Sequence, residues 1–211
     1  MIGVGGAFAQ ANALLPKYGD QQKTESQKSA DASFLSAMDA FYKGDRVLAA
    51  EEVAKRGWVI LRGQAQGTPN NAMLRFNQAW LLNSKNGSAI WGMAAIAANS
   101  NQMQQASNLF KEAESLLPDD IDLAVDSARF QGILGLETQN KAMLNMALDR
   151  YQALSIKYPN HTMNWQNWAV ILFNMGEYPQ AWDRLQSALK TPRGREVDPE
   201  FVKALSSKIA K

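Results

Sequence analysis

Between Met163 and Lys190 the apolar residues recur at three- and four-residue steps and are interrupted once. Trp165, Trp168, Ala169 and Leu172 fall on one face of a helix by that spacing. Gly176 breaks the run. Pro179 suits the first turn of a second helix, where its missing N–H costs nothing, and Ala181, Trp182, Leu185, Ala188 and Leu189 continue the apolar face. Ala169 and Ala181 are small where the two helices must cross closely, and Trp168, Tyr178 and Leu185 fill the space around them. The pattern predicts an antiparallel helical hairpin.

The same skeleton recurs upstream. Ala72, Phe76 and Ala79 spell A-x-x-x-F-x-x-A, and thirty-four residues later Ala106, Phe110 and Ala113 repeat it, closed by Pro118. Ala147, Tyr151 and Leu154, closed by Pro159, give a third copy, and Ala181 opens a fourth thirty-four residues beyond. Together with W-x-x-W-A-x-x-L and G-x-Y-x-x-A-x-x-x-L-x-x-A-L from Trp165 to Leu189, the pattern resembles the tetratricopeptide repeat, whose period is thirty-four residues. The interval from Ala106 to Ala147 is forty-one, so seven extra residues are expected around Asp119 to Ser127, as an extension of the following helix or of the loop before it. Gly135 supplies the small crossing residue of the third copy and Ala94 that of the second, whereas the first carries the bulkier Ile60 and departs from the family pattern. The resemblance implies an all-α fold, a right-handed superhelical array of antiparallel helix pairs. Repeats are placed at about 53–86, 87–120, 121–161 and 162–195, with a capping helix over 198–210.

The flanks read differently. Residues 1–11 are small and uncharged and end in Ala7-Phe8-Ala9 or Ala9-Gln10-Ala11, like the tail of a secretory signal without its basic start. Export to the periplasm is the expectation, with an apolar start of a cytoplasmic protein as the alternative. Residues 12–30 turn polar from Lys17 onward and read as a disordered linker. A helix pair is expected over 31–52. Asp31 can cap a helix carrying Phe34, Leu35, Met38 and Phe41, Gly44 ends it, and a second helix runs from Asp45 through Val47, Leu48, Val53, Trp58 and Leu61. Gly57 inside that helix costs about 1 kcal/mol against Ala, which points to close backbone packing. Thr68 is placed to cap the next helix with Pro69 in its first turn. At the other end Asp198 can cap a last helix whose Phe201, Val202, Leu205 and Ile209 cover the open end of the array, while Lys203, Lys208 and Lys211 face water.

A hydrophobic content of 46% is enough for a folded core, and a net charge of +2 without basic runs among aromatics argues against nucleic acid. No apolar stretch approaches the roughly 20 residues of a membrane span. The absence of cysteine excludes disulfides, thiolate nucleophiles and zinc–thiolate sites. His161, the sole histidine, sits in a Pro-Asn-His-Thr connection and reads as a helix-entry group. Asp119, Asp120 and Asp122 lack the glycine and ligand spacing of a calcium loop and read as helix N-capping groups. Gly3, Gly5 and Gly6 precede no strand–helix unit. No catalytic residue, metal or cofactor emerges, and the expectation is a protein that is not an enzyme.

Trp58, Trp80, Trp165, Trp168 and Trp182 fall on repeat core faces. Trp91 lies one residue past its core position, on the side that faces the inner surface in the resembled family. The same resemblance lines a groove with Leu61, Gln64, Trp91, Ala95, Asn99, Arg129, Leu136, Gln166, Val170, Phe173 and Asn174. Arg129 is the one cation in that set, which disfavours a clamp for a C-terminal carboxylate. An extended peptide or a helix fits better, with the amides pairing backbone groups and Trp91 and Phe173 as anchors. The implied function is a scaffold in the bacterial envelope that binds a partner protein. The alternative is a structural protein that self-associates into a homo-oligomer through the same apolar surface.

Overall fold

A computed structural model of the chain describes residues 13–20 and 22–209, so the signal-like residues 1–11 and Lys211 lie outside the described part. Ten α-helices are found among the described residues. They are α1 (Glu25–Phe41), α2 (Arg46–Leu61), α3 (Pro69–Leu82), α4 (Gly87–Asn99), α5 (Met103–Leu116), α6 (Ile121–Glu137), α7 (Lys141–Lys157), α8 (Thr162–Asn174), α9 (Tyr178–Leu189) and α10 (Pro199–Ile209). The fold is all-α, as the periodicity requires, and its helices pair α2 with α3, α4 with α5, α6 with α7 and α8 with α9.

Local chemistry sets most helix starts. Thr68 accepts the Asn71 N–H and Pro69 occupies the first turn of α3. Asp45, Asn86, Asp120 and Asn140 each accept the backbone N–H three residues on, at 2.8–3.1 Å. These bonds satisfy donors that a helix start otherwise leaves open. Helix α1 starts earlier than its apolar periodicity suggests. Thr24 and Gln27 form a reciprocal capping box, with Gln27 N–H donating to Thr24 Oγ1 at 3.3 Å and Thr24 N–H to Gln27 Oε1 at 2.7 Å. Residues 25–30 of the expected linker are therefore helical, because a T-x-x-Q cap can start a helix that has no apolar residue in its first turns.

The seven extra residues extend the following helix, as one of the two expectations had it, but at its end and into the next helix. Helix α6 has 17 residues against 13 in α4, and α7 has 17 against 14 in α5. The left-handed residue of each hairpin turn marks where they enter: Asn101, Gln139 and Gly176 are separated by 38 and then 37 positions. Four extra residues thus lengthen the end of α6 and three the start of α7, on either side of Gln139 rather than around Asp119 to Ser127. The entry of α6 keeps the thirty-four-residue register, with Ala128 fully buried as Ala94 is one repeat earlier. Added length is cheap at a hairpin tip, where it disturbs no stacked neighbour.

The chain divides into two compact units, residues 1–118 and 119–211. In the first, α4 packs on α2, α3 and α5 and is buried on most of its circumference, which its Ala-, Ile- and Met-rich sequence permits. Phe76 of α3 is fully buried at the centre, between glycines of two helices. A Cβ on Gly57 of α2 would lie 2.7 Å from its ring, and one on Gly92 of α4 would lie 2.2 Å from it. Gly57, three residues before the bulky Ile60, is thus the small residue that brings α2 close to α3. In the second unit, Trp165, Trp168 and Tyr151 stack in series with centroids 5.8 and 6.4 Å apart, and Arg184 lies over Trp168 at 4.2 Å. Ala169 and Ala181 are fully buried where α8 meets α9. Helix α10 closes this core with Leu205, Phe201 and Val202, while Ile209 remains 40% exposed.

Candidate functional site

The α2 stripe Glu51, Lys55, Trp58 and Arg62, spaced four, three and four, meets Ser88 and Trp91 of α4 around a shallow cavity of ≈ 260 Å³. Its floor is aromatic. Trp58 and Trp91 lie with ring centroids 4.5 Å apart, and Arg62 sits over the Trp58 ring at 5.0 Å. The Trp58 indole N–H is spent on Ser88, donating to its carbonyl at 3.2 Å and to its Oγ at 3.0 Å, which fixes the ring beneath Arg62. Glu51, Lys55 and Arg62 are exposed and put both charge signs on the rim. Such a site can hold an apolar or aromatic side chain with polar groups on either side of it.

The other residues carried over from the family do not line this cavity. Trp91 is only 6% exposed and acts as a wall. Leu61 and Ala95 are half-buried, and Gln64 and Asn99 are exposed, without lining this cavity. In the second unit Arg129 is exposed on α6, and Leu136 joins Gln139, Lys141, Leu144, Asn145 and Met175 around a shallow cavity of ≈ 400 Å³ at the lengthened hairpin tip. Two of the carried-over residues serve the fold. Gln166 is buried and its Oε1 accepts the Asp198 N–H at 2.9 Å, and Phe173 packs edge-on against Phe201 at 5.7 Å, so both hold α10 in place. Asn174 donates to the Val170 carbonyl of its own helix at 2.8 Å. Val170 is half-buried beside it.

Residues weighed for chemistry have structural partners. His161 caps α8, accepting the Asn164 N–H on Nδ1 at 3.1 Å while Nε2 faces Asp122 Oδ1 at 2.9 Å. Asp120 caps α6. Among the described residues no group of three or more His, Cys, Asp or Glu is placed to hold a metal ion, and no helix is long and apolar enough to cross a membrane.

No protein-family model matches the chain. A TPR repeat-containing protein of Methanocaldococcus jannaschii is 24% identical over 163 residues, 73% of this chain, which spans 26% of that relative's length. Among solved structures, a MamA structure from Desulfovibrio magneticus RS-1 superposes with a TM-score of 0.52 at 17% identity, covering 79% of this chain and 85% of its own. A further crystal structure of MamA gives 0.51 at 16% identity, covering 81% and 95%. The chain has a tetratricopeptide-type fold of repeated helix pairs.

Within this tetratricopeptide fold, the residues that sequence reasoning missed are Glu51, Lys55, Trp58, Arg62 and Ser88. Trp58 read as a core residue because it lies three residues before Leu61 in the apolar run of this helix. One signal could have found the site: Trp58 and Trp91 lie 33 residues apart, one short of the tetratricopeptide period, on successive first helices of their pairs. Lys55 and Arg62 also add two cations beside Trp91 to a lining in which Arg129 had been the one positive charge.

Proposed function

We propose that this tetratricopeptide protein is a non-enzymatic scaffold that binds an extended peptide or helix of a partner protein on the α2–α4 face. The supporting observation is the Trp58–Trp91 cavity with its rim of Glu51, Lys55 and Arg62. The half-buried Trp58, fixed against the buried Trp91, offers an anchor for one side chain at little entropic cost, and the mixed rim selects what flanks it. The envelope location belongs to the same proposal and rests on the Ala-x-Ala start of the sequence.

The test selects peptides from a displayed random library on the full chain and measures their binding by tryptophan fluorescence. Lys55→Glu with Arg62→Glu alters only exposed rim residues. The expected result is that selected peptides shift the indole emission of the wild type and bind the double variant at least tenfold more weakly. Peptides that bind both proteins equally would move the working surface away from this face.

A further inference from the structure

The segment of residues 13–19 is a compact turn docked on the first unit, with Tyr18 N–H bonded back to the Leu15 carbonyl at 3.1 Å. Asn77 of α3, fully buried, donates from Nδ2 to the carbonyls of Ala13 and Leu15, both at 2.8 Å. An asparagine that clamps two carbonyls two residues apart holds main chain whatever its side chains. Side chains add register. Pro16 is buried, Lys17 pairs with Glu112 of α5 at 2.5 Å, and the Tyr18 ring lies 6.5 Å from that of Trp80.

The end of the docked segment is strained. Lys17, Tyr18 and Gly19 are all left-handed, with φ of 52°, 59° and 71°, a conformation that costs L side chains energy and is rare in succession. This tight reversal turns the chain back so that α1 can begin at Glu25. Beyond the reversal the chain is held by polar contacts, Lys23 lying over the Tyr18 ring at 3.8 Å and pairing with Asp31. Helix α1 contributes no buried residue, and the Asp39–Arg46 pair that ties it to α2 is exposed. A built docking site, a short strained hinge and an element beyond it that buries no residue are the conditions under which identical segments exchange between copies.

We propose that residues 13–19 form an exchangeable arm, and that the Asn77 clamp of α3, together with Glu112 of α5, accepts this arm from a second copy of the chain. Opening the reversal at Gly19 relieves strain there, while the contacts of Ala13, Leu15 and Lys17 are the same in either molecule. The partner is therefore another copy, at a surface distinct from the Trp58–Trp91 cavity.

Because the sequence contains no cysteine, the exchange can be trapped in the full chain. Lys17→Cys chains are mixed with Glu112→Cys chains and treated with a short bis-maleimide, with the doubly substituted chain as the intramolecular reference. The expected result is a cross-linked dimer carrying one chain of each kind. Adding Gly19→Val to the arm donor, which places a branched side chain at φ of 71° within 2.9 Å of Leu15, should raise its yield several-fold. Adding Asn77→Ala to the acceptor should abolish it. Should Asn77→Ala lower the helix content, Tyr18→Ala in the donor takes its place, since it alters only the arm. Cross-links confined to the doubly substituted chain, with or without Gly19→Val, would overturn the proposal. So would a mixed dimer whose yield is indifferent to both Asn77→Ala and Tyr18→Ala.

Discussion

Gly92 offers a sharp test of how the first unit is packed. A Cβ there would lie 2.2 Å from Phe76 Cζ and 2.4 Å from both Cε atoms, far inside van der Waals contact. The ring cannot slide away, because Gly57 backs it and Trp58 stands edge-on at 5.5 Å. Gly92→Ala therefore overpacks a closed site, at about 1–3 kcal/mol. Against this, replacing a helical glycine by alanine gains about 1 kcal/mol of propensity. The net expectation is a loss of up to about 2 kcal/mol, which for a chain of this size lowers the thermal midpoint by up to about 8 °C. Circular dichroism on wild type, Gly92→Ala, Phe76→Leu and the double variant completes a cycle. Leucine is narrower than the ring, so the double variant should be more stable than the sum of the single effects by about 1 kcal/mol. A higher midpoint for Gly92→Ala, additive with Phe76→Leu, would mean that Gly92 is an ordinary helical glycine and that the sandwich reasoning is wrong.

Two other side chains give independent tests. Tyr151 is fully buried and its hydroxyl has no hydrogen-bond partner among the described residues, so Tyr151→Phe should raise stability by about 1 kcal/mol, and a loss of similar size in urea unfolding would reveal a hidden partner. The hydrogen bonds and charge of Arg46 hold the Asp39 carboxyl below the usual carboxylate range. A depressed folded value means that the pair's stabilisation is present above the unfolded pKa and is lost as pH falls through the folded one. Carboxyl NMR should place the Asp39 titration in that low window and return it to the ordinary range in Arg46→Ala. An unchanged titration would detach the shift from the arginine.

Much of the fold could be read from residues close together in the chain. Thr68–Pro69, Asp45, Asp120 and Asp198 are helix-start signals that act within three residues, and each is used. Gly57 was legible as a place of close packing, although what it packs against was not. The candidate site was much less legible. Trp58 and Trp91 looked like a core residue and a surface anchor, yet they form one wall, because two helices brought together decide how far each indole is covered. Gln166 and Phe173 sit on the face expected for a groove, and α10 covers that face by taking an amide bond and an aromatic contact from them. Helical periodicity specifies a face and is silent about which later segment will lie on it.

The sequence by itself determined the all-α class, the helix pairs and most of their boundaries, since a thirty-four-residue period and local capping chemistry are written in neighbouring residues. Only the tertiary structure decided that Asn77 holds carbonyls more than sixty residues away, that Phe76 sits between two glycines, and that the extra turns lengthen one hairpin tip. Such contacts join residues with no fixed spacing, and their partners are set by how the helices stack.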